Sequence, residues 1–148
     1  MKAVIVDWMR SPFHRAHKGE LRGVRPDDIA AQVAKKLLSR NNIDPCLIDD
    51  IILGCAYPEG EQGYNLGRFV GLLAGLPDSV PGTTINRLCG SSMQAIHTAT
   101  GNIVAGWGEC FLVGGVESMS RVKRRGFNWS PNPILEEKLP EAYINMGL

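Results

Sequence analysis

The chain has 148 residues, enough for one domain whose core takes about 70% of the unfolded chain's surface out of water. Its 16 basic and 15 acidic residues leave a formal charge of +1, so no overall field points to nucleic acid or a membrane surface. Composition, at 44% hydrophobic and 21% charged, is that of an ordinary soluble domain. The four cysteines, Cys46, Cys55, Cys89 and Cys110, lie 9, 34 and 21 positions apart, which contains no C-x-x-C pair for zinc or dithiol redox chemistry. No metal site is expected, and a reducing, cytoplasmic setting without a cleavable leader is the simplest one.

In chain order, Ala3–Trp8 is a short apolar run that predicts a buried strand. Arg10–Arg25 is a basic, glycine- and proline-containing loop that holds His14 and His17. Pro26, Asp27 and Asp28 mark a helix start, and Ile29, Val33 and Leu37, with Ala30, Ala34 and Leu38 beside them, predict its buried face before Asn41 and Asn42 end it. Ile51–Ala56 reads as a second strand and Tyr57–Tyr64 as a turn-rich loop. Leu66, Phe69, Val70 and Leu73 have helical spacing, closed by Gly75 and Pro77. Thr83–Leu88 is a third strand, an uncharged helix follows, and Cys110–Val116 is a fourth strand. This strand–helix alternation predicts an α/β fold, a mostly parallel sheet with a buried central helix, over residues 1–116. Residues 117–148 change texture: Arg121, Lys123, Arg124 and Arg125 precede Phe127, Trp129, Pro131 and Pro133. A short helix is expected to begin near Glu136, with Pro140 interrupting it and no evident element at Asn145–Leu148.

The stretch Ile85–Gly106 organises the rest. Between Arg87 and Glu109 there is no Asp, Glu, Lys or Arg, so the helix here can be covered on every side. Its Ser, Gln, His, Thr and Asn side chains favour a buried helix of a soluble domain over a membrane span. Cys89 lies just ahead of that helix, whose first N–H groups lack internal partners and carry partial positive charge. A thiolate there is stabilised and can act as a nucleophile, and the same N–H groups can stabilise an oxyanion. A small buried core residue is the competing reading of a free cysteine, and the strand-Cys-Gly-Ser-Ser-helix pattern alone leaves both open.

The segment N-R-L-C-G-S-S-M-Q-A around Cys89 resembles the nucleophile motif of the thiolases, which make or cleave the carbon–carbon bond of 3-oxoacyl-CoA thioesters. R-S-P-F at Arg10–Phe13, E-Q-G-Y-N-L-G-R at Glu61–Arg68 and G-G-V-E-S-M-S at Gly114–Ser120 resemble the same family in the same order. The resemblance implies the N-terminal half of a thiolase-like fold, with a loop subdomain beginning after residue 116 where CoA and tetramer contacts arise. It implies Cys89 as acyl acceptor, the Cys89 and Gly90 backbone N–H groups as oxyanion donors, and Gln62, Asn65 and Arg68 in a loop that reaches a neighbouring subunit. Acyl-CoA or acetyl-CoA is then the substrate, no cofactor is bound covalently, and the complete enzyme is a dimer or tetramer. The form of the cysteine motif leans toward the degradative thiolases of fatty-acid β-oxidation.

Thiolase chemistry, as the resemblance implies it, also needs a histidine and a second cysteine from motifs of the type N-x-x-G-G-A-x-x-x-G-H-P and C-x-G-G-G, and neither occurs in this sequence. His97 follows Cys89 by eight positions, about 12 Å along a helix axis, too far for a direct bond. Cys46 and Cys110 precede their strands and are expected at the opposite sheet edge. Cys55 and the two loop histidines share the correct edge but are expected to be a core thiol and solvated side chains. The expectation is a chain that carries the acyl-accepting half of the chemistry and needs a missing C-terminal half as partner. The alternative is a non-catalytic half-fold that works only by pairing. The Arg121–Trp129 cluster also resembles a nucleic-acid patch, but four basic residues in a balanced chain fit a solvated loop or a CoA-phosphate contact better.

Overall fold

The computed structural model describes residues 2–144. Its centre is a three-stranded parallel sheet of β1 (Asp50–Gly54), β2 (Gly82–Ile85) and β3 (Phe111–Gly115), in the order β2-β1-β3. Ile52 of β1 lies beside Thr83 on one side and Val113 on the other. Side chains of a strand alternate between faces, so Ile51 and Leu53 point to one face and Ile52 to the other, and each joins a different core.

The first core is the larger. α2 (Leu66–Ala74) lies on the sheet and α1 (Pro26–Arg40) packs against α2. Ala31, Ala34 and Leu38 of α1 meet Leu66, Val70 and Ala74 of α2 over Ile51, Leu53 and Leu112. The second core is thin: α3 (Ser91–Ala105) contributes Ala95 and Ala99 over Ile52, with Ile85, Phe111 and Val113 half-buried around them. The crossover from β1 to β2 thus runs on one face and that from β2 to β3 on the other. Both return the chain to the same sheet end, where ligands of open α/β sheets bind.

Several expectations are corrected. Ala3–Trp8 is not a strand: Val4, Ile5, Val6 and Trp8 are exposed, Val6 to 80%. An apolar run becomes a strand only where a sheet edge and a covering layer receive it, and this one is tied instead to the end of α1. There, Asp7 accepts from Arg40 and Asn41, and Arg40 donates to the Trp8 carbonyl at 2.8 Å. The most buried face of α1 is Ala31, Ala34 and Leu38, with Ile29, Val33 and Leu37 half-buried. In α2 the expected Phe69 and Leu73 are exposed. Gly67 and Gly71 face the sheet, where a side chain on the first would enter the Thr83 backbone and one on the second would meet Ile51 at 3.2 Å; this close approach turns the larger side chains outward. β2 ends at Ile85, three residues early. α3 is not covered on all sides: Met93 and Val104 are more than half exposed, as is Trp107 just beyond the helix.

Beyond β3, Glu117–Val122 stays attached to the body. Val122 is buried, and Arg121 pairs with Glu61, which also pairs with Arg25 at 3.3 Å. α4 (Pro133–Lys138) begins at an Asn132 cap that accepts from Ile134 and Leu135, and α5 (Glu141–Ile144) follows Pro140. Trp129 packs edge-on against Tyr143, with the Arg125 guanidinium 4.7 Å above the Trp129 ring. The expected ending at Asn145–Leu148 lies outside the described residues. Among those described, no helix is long and apolar enough to cross a membrane.

Candidate active site

The carboxyl ends of the three strands open into a cleft of about 660 Å³. Its floor is Gly54–Tyr57 after β1, Leu88 and Cys89 after β2, and Gly115–Ser120 after β3, and the loop Ser11–Ala16 borders it. Cys89 is exposed in this cleft and α3 starts two residues later. Arg15, Arg22 and Arg124 stand on the lining with His14, and Glu117 is the carboxylate among the described lining residues, so the arginines make the rim cationic.

The turn that carries Cys89 is tightly bonded. Leu88 adopts a left-handed backbone with φ 48°, which costs a branched residue on the order of 1–3 kcal/mol and persists only where its surroundings enforce it. They do so on both sides. The Leu88 N–H donates to Asn86 Oδ1 at 2.8 Å, and the Leu88 carbonyl accepts from Ser91 Oγ at 2.5 Å. Ser91 Oγ in turn accepts from the Arg87 N–H at 2.9 Å, and Arg87 donates to Gln94 Oε1 at 2.6 Å. Beneath the helix start lies Gly54, where a methyl group would come within 2.8 Å of the Ser91 side chain and closer still to its backbone.

A second cluster sits deeper in the same cleft. Glu117 accepts from the Ala56 N–H at 2.6 Å and from Gln62 Nε2 at 2.6 Å, and Gln62 Oε1 accepts from the Ser118 N–H at 2.6 Å. Cys55 Sγ lies 3.8 Å from both carboxylate oxygens and 3.4 Å from Gln62 Nε2. Burial first, and then the Glu117 charge, push the Cys55 thiol up to about 12, so it remains protonated at neutral pH. It is a buried thiol and not a second nucleophile.

The residues expected from the sequence are brought together unevenly. Of the two oxyanion donors, the Gly90 N–H donates to the Arg87 carbonyl at 3.0 Å within the turn. Gln62 is fully buried inside the chain. Asn65 is exposed, accepts from the Arg68 N–H at 3.3 Å to cap α2 and donates to the Gly82 carbonyl at 2.6 Å. Arg68 donates to the carbonyls of Val80 and Asp78. His97 is exposed on α3 and does not line the cleft. Cys46 and Cys110 precede β1 and β3 at the far sheet edge, their thiols raised by Asp44 and by burial respectively. His14 accepts at Nδ1 from the Glu20 N–H at 3.2 Å, and the His17 N–H donates to Ser120 Oγ at 2.8 Å. Among the described residues no group of His, Cys, Asp and Glu is placed to hold a metal. Of the basic residues at 121–125, Arg121 pairs with Glu61 and Arg125 stacks on Trp129.

Sequence reasoning missed Asn86, the Ser91 hydroxyl as a clamp, and the Cys55–Gln62–Glu117 cluster. The available signal was positional: Asn86, Cys55 and Glu117 each follow closely on a strand, at the edge where parallel sheets place their sites.

A family profile described as "Thiolase, N-terminal domain" matches residues 3–148. The chain is 49% identical over 146 residues to a 3-ketoacyl-CoA thiolase of Saccharophagus degradans, covering 98% of this chain and 37% of that protein. It is 47% identical over 146 residues to the 3-ketoacyl-CoA thiolase of Bacillus subtilis, covering 99% and 37%. Among solved structures, the acetyl-CoA acetyltransferase of Bacillus anthracis superposes with a TM-score of 0.65 at 35% identity, covering 77% of this chain and 30% of that one. The chain therefore spans little more than a third of the length of the curated relatives it matches. With the motif around Cys89, the parallel sheet that positions it and this match from residue 3 onward, the chain belongs to the thiolase family and carries its N-terminal domain.

Proposed function

We propose that Cys89 takes an acyl group from a CoA thioester as the first half of a thiolase reaction. The exposed Sγ in the cleft, on a clamped turn directly ahead of α3, is the observation that carries this reading. In cleavage of a 3-oxoacyl-CoA its thiolate attacks the 3-oxo carbon, a carbon–sulfur bond forms, and the C2–C3 bond breaks to release acetyl-CoA as an enolate that takes its proton from the second cysteine. In the reverse direction it attacks the thioester carbonyl and the CoA thiolate departs, and in either case the N–H groups at the turn receive the transient oxyanion. The Cys89 N–H is the first donor, and that of Gly90 joins it by exchanging its bond to Arg87. The cationic rim from Arg15, Arg22 and Arg124 suits an anionic CoA substrate. Relatives named 3-ketoacyl-CoA thiolases favour 3-oxoacyl-CoA cleavage and a place in fatty-acid β-oxidation.

The histidine and second cysteine of the later steps come, in this reading, from sequence beyond these 148 residues, which also covers the open side of α3. A loop subdomain begins at Glu117, the complete enzyme is a cytoplasmic dimer or tetramer, and the exposed Tyr64 and Asn65 are the loop's means of reaching a neighbouring subunit. The exposed Val4–Val6, Met93 and Val104 support a second reading, in which the chain serves only as a pairing half-fold.

Incubation with an acyl-CoA, with the chain joined to a polypeptide that carries the missing motifs, tests both. Intact and peptide mass spectrometry are expected to place one acyl group on Cys89, and its loss in Cys89→Ser. Acylation elsewhere removes the assignment, and a stable complex with no acyl-enzyme selects the pairing reading.

A further inference from the structure

Asn86 uses its side chain in two directions. Oδ1 accepts from the Leu88 N–H at 2.8 Å, and Nδ2 donates to the Ala56 carbonyl at 3.0 Å. The N–H of that same Ala56 donates to the Glu117 carboxylate at 2.6 Å. One hydrogen-bonded line thus joins the exits of all three strands: Glu117 after β3, Ala56 after β1, Asn86 after β2. It ends on the one left-handed residue of the cysteine turn. Leucine disfavours that conformation, and its carbonyl is already fixed to the head of α3 by Ser91. The Asn86 bond on the N–H side is therefore what opposes relaxation of φ, and the next residue to move in such a relaxation is Cys89.

We propose that Asn86 is a positioning residue for the Cys89 sulfur, holding Leu88 left-handed against the ends of β1 and β3 so that Sγ stays at the head of α3 and faces the cleft. The proposal rests on the reading of Cys89 as acyl acceptor, but its test needs no acyl transfer. Iodoacetamide alkylates the sulfur with loss of iodide and release of the thiol proton. Peptide mass spectrometry then gives the ratio of Cys89 to Cys46 alkylation at pH 7, with Cys46 an exposed internal reference at the far sheet edge.

Asn86→Ala is expected to lower that ratio at least fivefold, because the sulfur then turns away from the cleft opening in which it is exposed. Adding Leu88→Gly, which accepts a left-handed backbone freely and restores no hydrogen bond, is expected to recover at least half of the loss. Asn86→Asp keeps the acceptor for Leu88 but loses the donor to the Ala56 carbonyl and sets a carboxylate against it, so it is expected to lower the ratio as well. An unchanged ratio in Asn86→Ala, or a loss that Leu88→Gly does not recover, overturns the proposal. Asn86 is exposed, so truncation empties no core. If circular dichroism nevertheless shows Asn86→Ala unfolded, Asn86→Ser is compared with Asn86→Ser carrying Leu88→Gly: a fall that Leu88→Gly recovers supports the role, and an unchanged ratio or an unrecovered fall sinks it. Absence of acyl-CoA labelling in the parent counts against the acyl-acceptor reading and leaves this comparison standing.

Discussion

α1 and α3 are both 15 residues long and lie on opposite sides of the same sheet, yet their outer faces differ. α1 turns Gln32, Lys35, Lys36, Ser39 and Arg40 outward, the charged surface of a helix that faces water. α3 turns Met93, His97, Thr100, Gly101 and Val104 outward, and carries no formal charge along its length. The layers beneath differ in the same sense: among the described residues, thirteen buried ones form the core on the α1/α2 side and three on the α3 side. In the proposed reading, an uncharged outer face over a thin core is one that sequence beyond this chain covers. The difference teaches that the absence of charge along a helix reports its final surroundings, while burial within one chain reports only what that chain supplies.

The largest test of this contrast is Leu66→Ala on the closed side. Leu66 is wholly buried, and its truncation is expected to cost about 2–5 kcal/mol in urea unfolding. Gly54→Ala pushes a methyl group into the backbone at Ser91 and is expected to cost about 1–3 kcal/mol while also slowing Cys89 modification, since it lifts the head of α3.

Next in size is an alkaline effect. The Cys55 thiol is raised in the folded chain from an ordinary value near 9 to about 12, so the unfolded chain loses this proton first as pH rises. The stability it gives is complete below pH 9 and lost through the window from 9 to 12, with a slope of up to about 1.4 kcal/mol per pH unit. Cys55→Ala is expected to flatten that slope in urea melts taken at successive pH values. Smallest is Val104→Ala on the open side, expected to shift stability by less than about 0.5 kcal/mol. Val104→Glu should leave unfolding equally unmoved while lowering self-association in light scattering; a loss of several kcal/mol there would show the open face to be closed.

Apolar spacing made α1 and α2, and apolar runs made β1 and β3, legible within a few residues, while α3 was legible from the uncharged run that follows Cys89. These signals failed where an apolar run stays uncovered or where glycine inverts the logic. Ala3–Trp8 has strand composition but lies against the end of α1 with its apolar side chains uncovered, and Gly67 and Gly71 outrank Phe69 and Leu73 for the sheet-facing side of α2 because closeness there matters more than bulk. The position of Cys89 ahead of a helix and at the carboxyl edge was legible from the order of elements. The left-handed Leu88 was not, since nothing in leucine announces positive φ, and neither was the full Cys55–Gln62–Glu117 cluster: strand order places Cys55 and Glu117 at one edge, but nothing in the sequence marks Gln62 as turning inward from its loop to join them.

The seating of Ser91 and Ser92 on Gly54 and Gly115 has a spatial consequence for α3. The helix is fitted closely to the sheet at the end that carries the sulfur, while Val104 and Trp107 stand exposed toward its other end. A surface laid over that far end would lie about 20 Å along the axis from Sγ. Covering the helix and reaching the sulfur are thus tasks for different surfaces.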